Sequence, residues 1–334
     1  MKQGLSLTAA GVTVALVSFL PGGPAQADPG PPSVEAAAFR PIDTGDRAAV
    51  REAVLKRLRP ALAAKVKWSG SVSGCVAGKP ARSTQQATLK AVNFFRAMAQ
   101  LDPVTFDAGL SAKAQKAALM MDAENSLNHF PPRSWKCWSK AGAEAAGRSN
   151  LCLDCTGAAS VLEYMTDEGP GNTAAGHRRW LLFPFVGEMG SGITSGAGAL
   201  WVIPGERVRA KSPAWVSWPT PGYFPNELDP AGRWSLSASN EKIDFARAKV
   251  SVRTADGKAL EVRRHKPIAH GRPNYGSPAL VWQVTGFALP TGTRSRRLDV
   301  TVSGIRVWNQ ADTALTKKKI TKKYSVRYFD ADVA

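Results

Sequence analysis

Apolar residues recur at helical spacing through the first half of the chain and alternate at strand spacing through the second. The pattern predicts a helix over Asp46 to Ala63, with Val50, Val54, Leu55 and Leu58 on one face and Pro60 limiting or kinking it. A second runs from Ser83 to Gln100 on Leu89, Val92, Phe94, Phe95 and Met98, and Asp102-Pro103 stops it. A third starts near Ser111, a residue able to cap it, and carries Ala114, Ala117, Ala118 and Met121. It must end by His129, ahead of Pro131-Pro132. Ala158 to Met165 reads as a fourth helix, and Trp180 to Val186 and Ala199 to Ile203 read as strands around a glycine-rich turn region. Beyond Pro204 the pattern changes. Trp215 to Trp234 has the Pro, Gly and aromatic content of a packed connector. Short alternating runs follow at Val250/Val252, Leu260/Val262, Leu280/Trp282/Val284, Leu298/Val300/Val302 and Tyr324/Val326/Tyr328, the first two flanking the turn pair Asp256-Gly257. Helices with a few strands, then strands alone, predict an α+β unit followed by an immunoglobulin-like β-sandwich.

The amino terminus adds an export signal. Lys2 precedes an uncharged apolar run, Leu5 to Leu20; Pro21-Gly22-Gly23 breaks it and Ala25-Gln26-Ala27 offers a cleavage site. The domain reading is therefore a signal peptide at 1–27, an extension with one helix at 28–70, an α+β domain at 71–205, and connector plus sandwich at 206–334. No transmembrane segment is expected in the mature chain. The formal charge is +18, of which loss of residues 1–27 removes only Lys2 and leaves +17. That excess favours anionic surroundings, such as anionic lipid or a cell-wall polymer, or serves solubility alone. Nucleic acid is not expected, since no binding motif accompanies the charge. Lys317-Lys318-Lys319 and Lys322-Lys323 read either as a charged edge that blocks strand pairing or as an anionic-polymer contact.

Four cysteines, Cys75, Cys137, Cys152 and Cys155, are an even set in an exported chain and favour two disulfides, with three pairings open. Cys152-Leu153-Asp154-Cys155 alone lacks the second ligand pair of a structural zinc site and the βαβ context of a redox pair. The catalytic signals HExxH, GxSxG and a phosphate-binding glycine loop are absent. His265 and His270 lie among basic residues and read as solvated loop positions. The other two histidines, His129 and His177, share the block Thr88–Pro184 with Glu144, placed in a loop between them. Two imidazoles and a carboxylate suit Zn²⁺ with one position open for water, or a hydrogen-bonded network holding cleft walls.

The central block resembles the CAP superfamily (SCP/PR-1-like, the cysteine-rich secretory protein family) in its bacterial form. Asn93-Phe94-Phe95-Arg96 followed by Val104-Thr105-Phe106-Asp107 is similar to the family's opening helix and next signature, which Leu110, Ala114 and Gln115 continue. Leu127-Asn128-His129 stands at the first histidine motif, Gly142-Ala143-Glu144 at the acid motif without its Asn, and Gly176-His177-Arg178-Arg179-Trp180-Leu181-Leu182 at the second histidine motif. The resemblance covers about Ser83 to Ile203. It implies an α-β-α sandwich whose cleft is lined by His129, Glu144 and His177. A second glutamate is expected three residues beyond a helix aromatic; counting from Tyr164 gives Asp167, with Glu163 and Glu168 as neighbours. The resemblance further implies binding of a lipid, envelope polymer or secreted protein partner rather than catalysis. The alternative is a zinc-dependent hydrolase of peptides or esters, with His129, His177 and Glu144 as metal ligands.

Overall fold

The first helical stretch forms where its periodicity places it, but not as a regular α-helix. In the computed structural model, which describes residues 39–208, 213–229, 231–267 and 276–333, helix α1 (Arg47–Ala53) is capped by Asp46. It passes through a π turn (Val54–Leu58) into α2 (Arg59–Leu62). Pro60 has no N–H to give, and its ring would strike the carbonyl four residues back. The widened turn, in which Arg59 N bonds Val54 O, makes room for it. The leader segment 1–27 and His270 lie outside the described residues.

Helix α3 (Arg82–Met98) follows a disulfide-bonded loop, and α4 (Ala108–Glu124) follows strand β1 (Thr105–Phe106). Asp107, not Ser111, caps α4: its carboxylate accepts from Leu110 N at 2.7 Å, and Ser111 Oγ instead accepts from Ser191 N at 3.2 Å. Helix α5 (Lys140–Ala146) was not expected, because its alanines and glycine show no apolar stripe; Glu144 therefore sits on a helix, not in a loop. Helices α6 (Ala158–Thr166) and α7 (Gly176–Leu181) complete the set. Strands β2 (Ser149–Leu153), β3 (Glu188–Ile193) and β4 (Ala197–Trp201) join β1 in the order β1-β3-β4-β2. Trp201 and Ala199 face α4 and α5 with Ala117, Met121 and Ala145, while Leu200 points into the core that holds α3 and α6. The result is helix on sheet on helix.

Two expectations in this region are overturned. The glycine-rich stretch turns only at its end, before β4; most of it is β3, an interior strand whose glycines admit α4 at backbone distance. A Cβ on Gly192 would stand 2.2 Å from the Ala114 carbonyl carbon, and one on Gly190 2.5 Å from that of Leu110. Trp180 to Val186 is not a strand: α7 ends at Leu181 and the chain then turns around Arg96. That arginine is fully buried and donates to the carbonyls of Asp102, Leu181, Phe183 and Val186. Burial lowers its pKa to about 10. Asn93 likewise holds both backbone groups of Val104, and Gln115 both of Ile193. The polar residues of the family-like motifs thus pin the loops and strand that frame the sheet.

The second half is a β-sandwich. One sheet has the order β10-β11-β7-β5, from β5 (Trp215–Trp218), β7 (Arg233–Ala238), β10 (Glu261–Arg264) and β11 (Ala279–Thr285). The other has the order β6-β13-β12-β8, with β9 also on β12. It uses β6 (Gly222–Pro225), β8 (Ile243–Asp244), β9 (Lys249–Thr254), β12 (Ser295–Trp308) and β13 (Leu315–Phe329). Trp218, Trp234, Trp282, Leu298, Val300, Val326 and Tyr328 fill the space between them. The stretch read as a connector supplies β5, β6 and the start of β7, with Trp218, Phe224 and Trp234 buried in the core. Asp256-Gly257 does make the turn between β9 and β10, but β10 then crosses to the other sheet. Phe95 of α3 meets Trp218 edge-on at 5.7 Å, so one apolar core runs from α3 into the sandwich. The segment Phe39–Ala334 is one compact unit.

Candidate functional site

Asn125 ends α4 in the left-handed conformation, and the chain leaves the helix toward His129 and Phe130. That loop faces the junction of α5 with β2, the 170–176 turn, the first residues of α7, and Val202-Ile203 beyond β4. Between them lies an open cleft of about 750 Å³, within the range of small-molecule sites. His129, Phe130, Arg148, His177, Trp180 and Ile203 are its most prominent lining side chains. Among the described residues, no aspartate or glutamate lines it.

Both imidazoles are oriented from behind. His129 Nδ1 donates to the Ala146 carbonyl at 2.7 Å, since a carbonyl can only accept. His177 Nδ1 donates to Asp167 Oδ1 at 2.9 Å, and its ring stacks on Tyr164 with centroids 5.5 Å apart. Each Nε2 is left to accept from a ligand hydroxyl or, when protonated, to donate to an anion. Asp167 is buried, sits in the left-handed region as the C-cap of α6, and spends its second oxygen on Arg178 N at 3.2 Å. The Tyr164 hydroxyl donates to Asn150 O, whose side chain in turn holds His177 O. Burial pushes that phenol above its ordinary range.

The structure therefore brings together three of the four residues expected at the cleft. His129 and His177 line it, and Asp167 stands behind His177; Glu163 and Glu168 are exposed elsewhere. Glu144 is the exception. Its helix turns it away, and Lys113 Nζ holds its two oxygens at 3.0 and 3.2 Å. Among the described residues no three His, Cys, Asp or Glu side chains are grouped to hold a metal ion. The expected zinc set of His129, His177 and Glu144 does not fit this donor arrangement, and no step is assigned to such an ion.

Sequence reasoning missed Phe130, Arg148, Trp180 and Arg233. Phe130 is 85% exposed beside the cleft, an aromatic in a proline-flanked loop with no periodic partner, which was the one available signal. Arg148 lies over the Trp201 ring at 5.6 Å. Arg233, on β7 of the sandwich, donates to the carbonyls of Asp167, Gly169 and Asn172, while Arg178 returns a bond to Arg233 O at 2.9 Å. The sandwich thus braces the turn that presents His177. Arg178 is wholly buried, and burial lowers its pKa to about 10.

The cysteines pair as Cys75–Cys137 and Cys152–Cys155, with Cα separations of 5.0 and 5.8 Å, and no described cysteine is free. His265 is half-buried, not a solvated loop residue, and its backbone bonds Val281 O. No described helix is long and apolar enough to cross a membrane. Residues 89–202 match the model of one protein family, described as CAP: Cysteine-rich secretory protein family. No curated protein and no solved structure matches the chain.

Proposed function

Taking residues 89–202 as a CAP domain, we propose that the chain is a secreted binding protein whose cleft takes an anionic amphiphile, a lipid with a carboxylate or phosphate head. One observation carries this reading: the cleft is lined by apolar surface (Phe130, Trp180, Val202, Ile203) and by Arg148 and two imidazoles, without a carboxylate among them. An apolar tail would cover Phe130, whose exposure is otherwise costly, and the head would meet Arg148 and the histidine Nε2 atoms. The two imidazoles are fixed by Ala146 O and Asp167, so little ordering is needed on binding. Export and a place at the cell envelope follow from the leader-like segment and the basic composition.

Calorimetric titration with oleate and with lysophosphatidate tests the proposal, with oleyl alcohol as the uncharged control. Both anions should bind and the alcohol should bind at least tenfold more weakly. Phe130→Ser and Arg148→Gln should each lose about tenfold, equivalent to about 1.4 kcal/mol. Unchanged affinity in both variants, or no binding of either anion, would remove the cleft as a lipid site.

A further inference from the structure

The outer face of the second sandwich sheet carries a regular array of cations. On β12 the buried residues Leu298, Val300 and Val302 point inward, so Arg297, Asp299, Thr301 and Ser303 point out. Register carries the same alternation to both neighbours. Arg297 pairs with Arg327, Thr301 with Lys323 and Arg306 with Lys319 on β13, while Asp299 pairs with Arg253 and Ser303 with Lys249 on β9. From Lys317 to Arg327 the outward positions of β13 hold only lysine, arginine and the hydroxyls of Thr321 and Ser325. Asp299 is the one outward acid of the three strands, and Arg297 Nε and the Ser325 hydroxyl already occupy it.

Edge protection accounts for only part of this. Strand β6 pairs β13 over Val326–Phe329 alone, so among the described residues the Leu315–Ser325 stretch has no second strand partner, and lysines there do block further pairing. The same charge continues, however, onto β12, an interior strand where it can block nothing, before it reaches β9 on the far side of the sheet. Outward positions along a strand recur about every 6.8 Å, and Lys317 to Arg327 spans roughly 34 Å. From Lys317 to Arg327 no outward position of β13 is aromatic, and the ring beside its end, Tyr223 of β6, is covered by the Arg327 guanidinium at 5.5 Å, so the strand offers no row of stacking platforms for bases.

We infer that this face binds a linear phosphodiester polyanion that lacks bases, laid across β13, β12 and β9. It shares no residue with the cleft, and either assignment can fail without the other. Repeating phosphates meet repeating cations and hydroxyl donors, and binding is driven by release of the polymer's counterions.

The probe is fluorescently labelled poly(glycerol phosphate), titrated by anisotropy against the full chain across a range of salt. The variant Lys317→Gln/Lys319→Gln/Lys323→Gln removes three exposed cations. A control, Lys65→Gln/Lys79→Gln/Lys90→Gln, removes the same charge from exposed positions outside the sandwich. The first should weaken binding by about 30-fold or more and reduce the log–log salt slope by about 2, the second by less than threefold. Lys249→Gln/Arg253→Gln, on the opposite side of β12 from β13, should weaken binding as well, as expected if the polymer lies across all three strands. Equal losses in the sandwich and control variants would mean that net charge alone acts, and would overturn the assignment. So would an absence of binding at low salt, or a single-stranded oligonucleotide of equal charge binding tenfold tighter than the polymer.

Discussion

Replacing Asp167 with Asn keeps the shape of the side chain and removes its charge. The carboxylate is 0% exposed, accepts from His177 Nδ1 at 2.9 Å and from Arg178 N at 3.2 Å, and is the largest favourable charge acting on the buried Arg178 guanidinium. An amide oxygen can satisfy one donor, leaving the other against an NH₂ group. Loss of a hydrogen bond to a charged group costs about 1.5–3 kcal/mol. Stripping one partner from a buried charge pair costs about 3–5 kcal/mol, a figure that overlaps the first. Asp167→Asn should therefore destabilise the protein by about 3–4 kcal/mol, measured as a fall in urea midpoint at unchanged slope. Arg178→Met removes the cation that Asp167 compensates but orphans Arg233 O, which Arg178 now satisfies at 2.9 Å. The double variant should therefore cost at least 1 kcal/mol less than the sum of the singles. A cost below 1 kcal/mol for Asp167→Asn, or additivity within 0.5 kcal/mol, would refute the idea that this pair holds the His177 turn.

Gly192→Ala should cost at least about 3 kcal/mol, because its Cβ would meet α4 backbone at 2.2 Å and a helix cannot yield locally; Gly205→Ala, with nothing within 4 Å, should be near neutral in the same urea titration. Burial raises the pKa of Asp229 above its ordinary 3.8, although the Tyr328 hydroxyl donates to it at 2.8 Å. A raised carboxyl pKa contributes stability when protonated, and that contribution is lost as pH rises through the folded value. Asp229→Asn should thus gain on the wild type between pH 4 and pH 7, as followed by thermal melts; a gap that is flat or moves the other way would contradict the sign.

Much of the architecture was legible because it rests on periodicity. Val50, Val54 and Leu58 announce a buried helix face, and Leu298, Val300 and Val302 a strand face, whatever lies opposite. The succession of helix-rich and strand-rich halves therefore led to an α+β unit followed by a sandwich, while the α-β-α layering came from the motif resemblance. Histidines at 129 and 177 were readable as one site only through the motif resemblance, since nothing local joins positions so far apart. Elements without a periodic signal were lost. The apolar positions of helix α5 are alanines and one glycine, with no large side chain to mark a face, and β3 reads as a turn because its glycines serve contact with α4, a fact about another segment. Trp180 to Val186 reads as a strand until Arg96 gathers its carbonyls. Which acid faces which partner was likewise a tertiary decision: Lys113 claims Glu144, while Asp167 and His177 are held in place by two arginines, one of them from the sandwich. Sequence alone determined which faces must be buried, because burial follows from side-chain chemistry. Only the folded chain decided which polar groups would meet, because hydrogen bonds and charges act over a few ångströms and their partners come from distant segments.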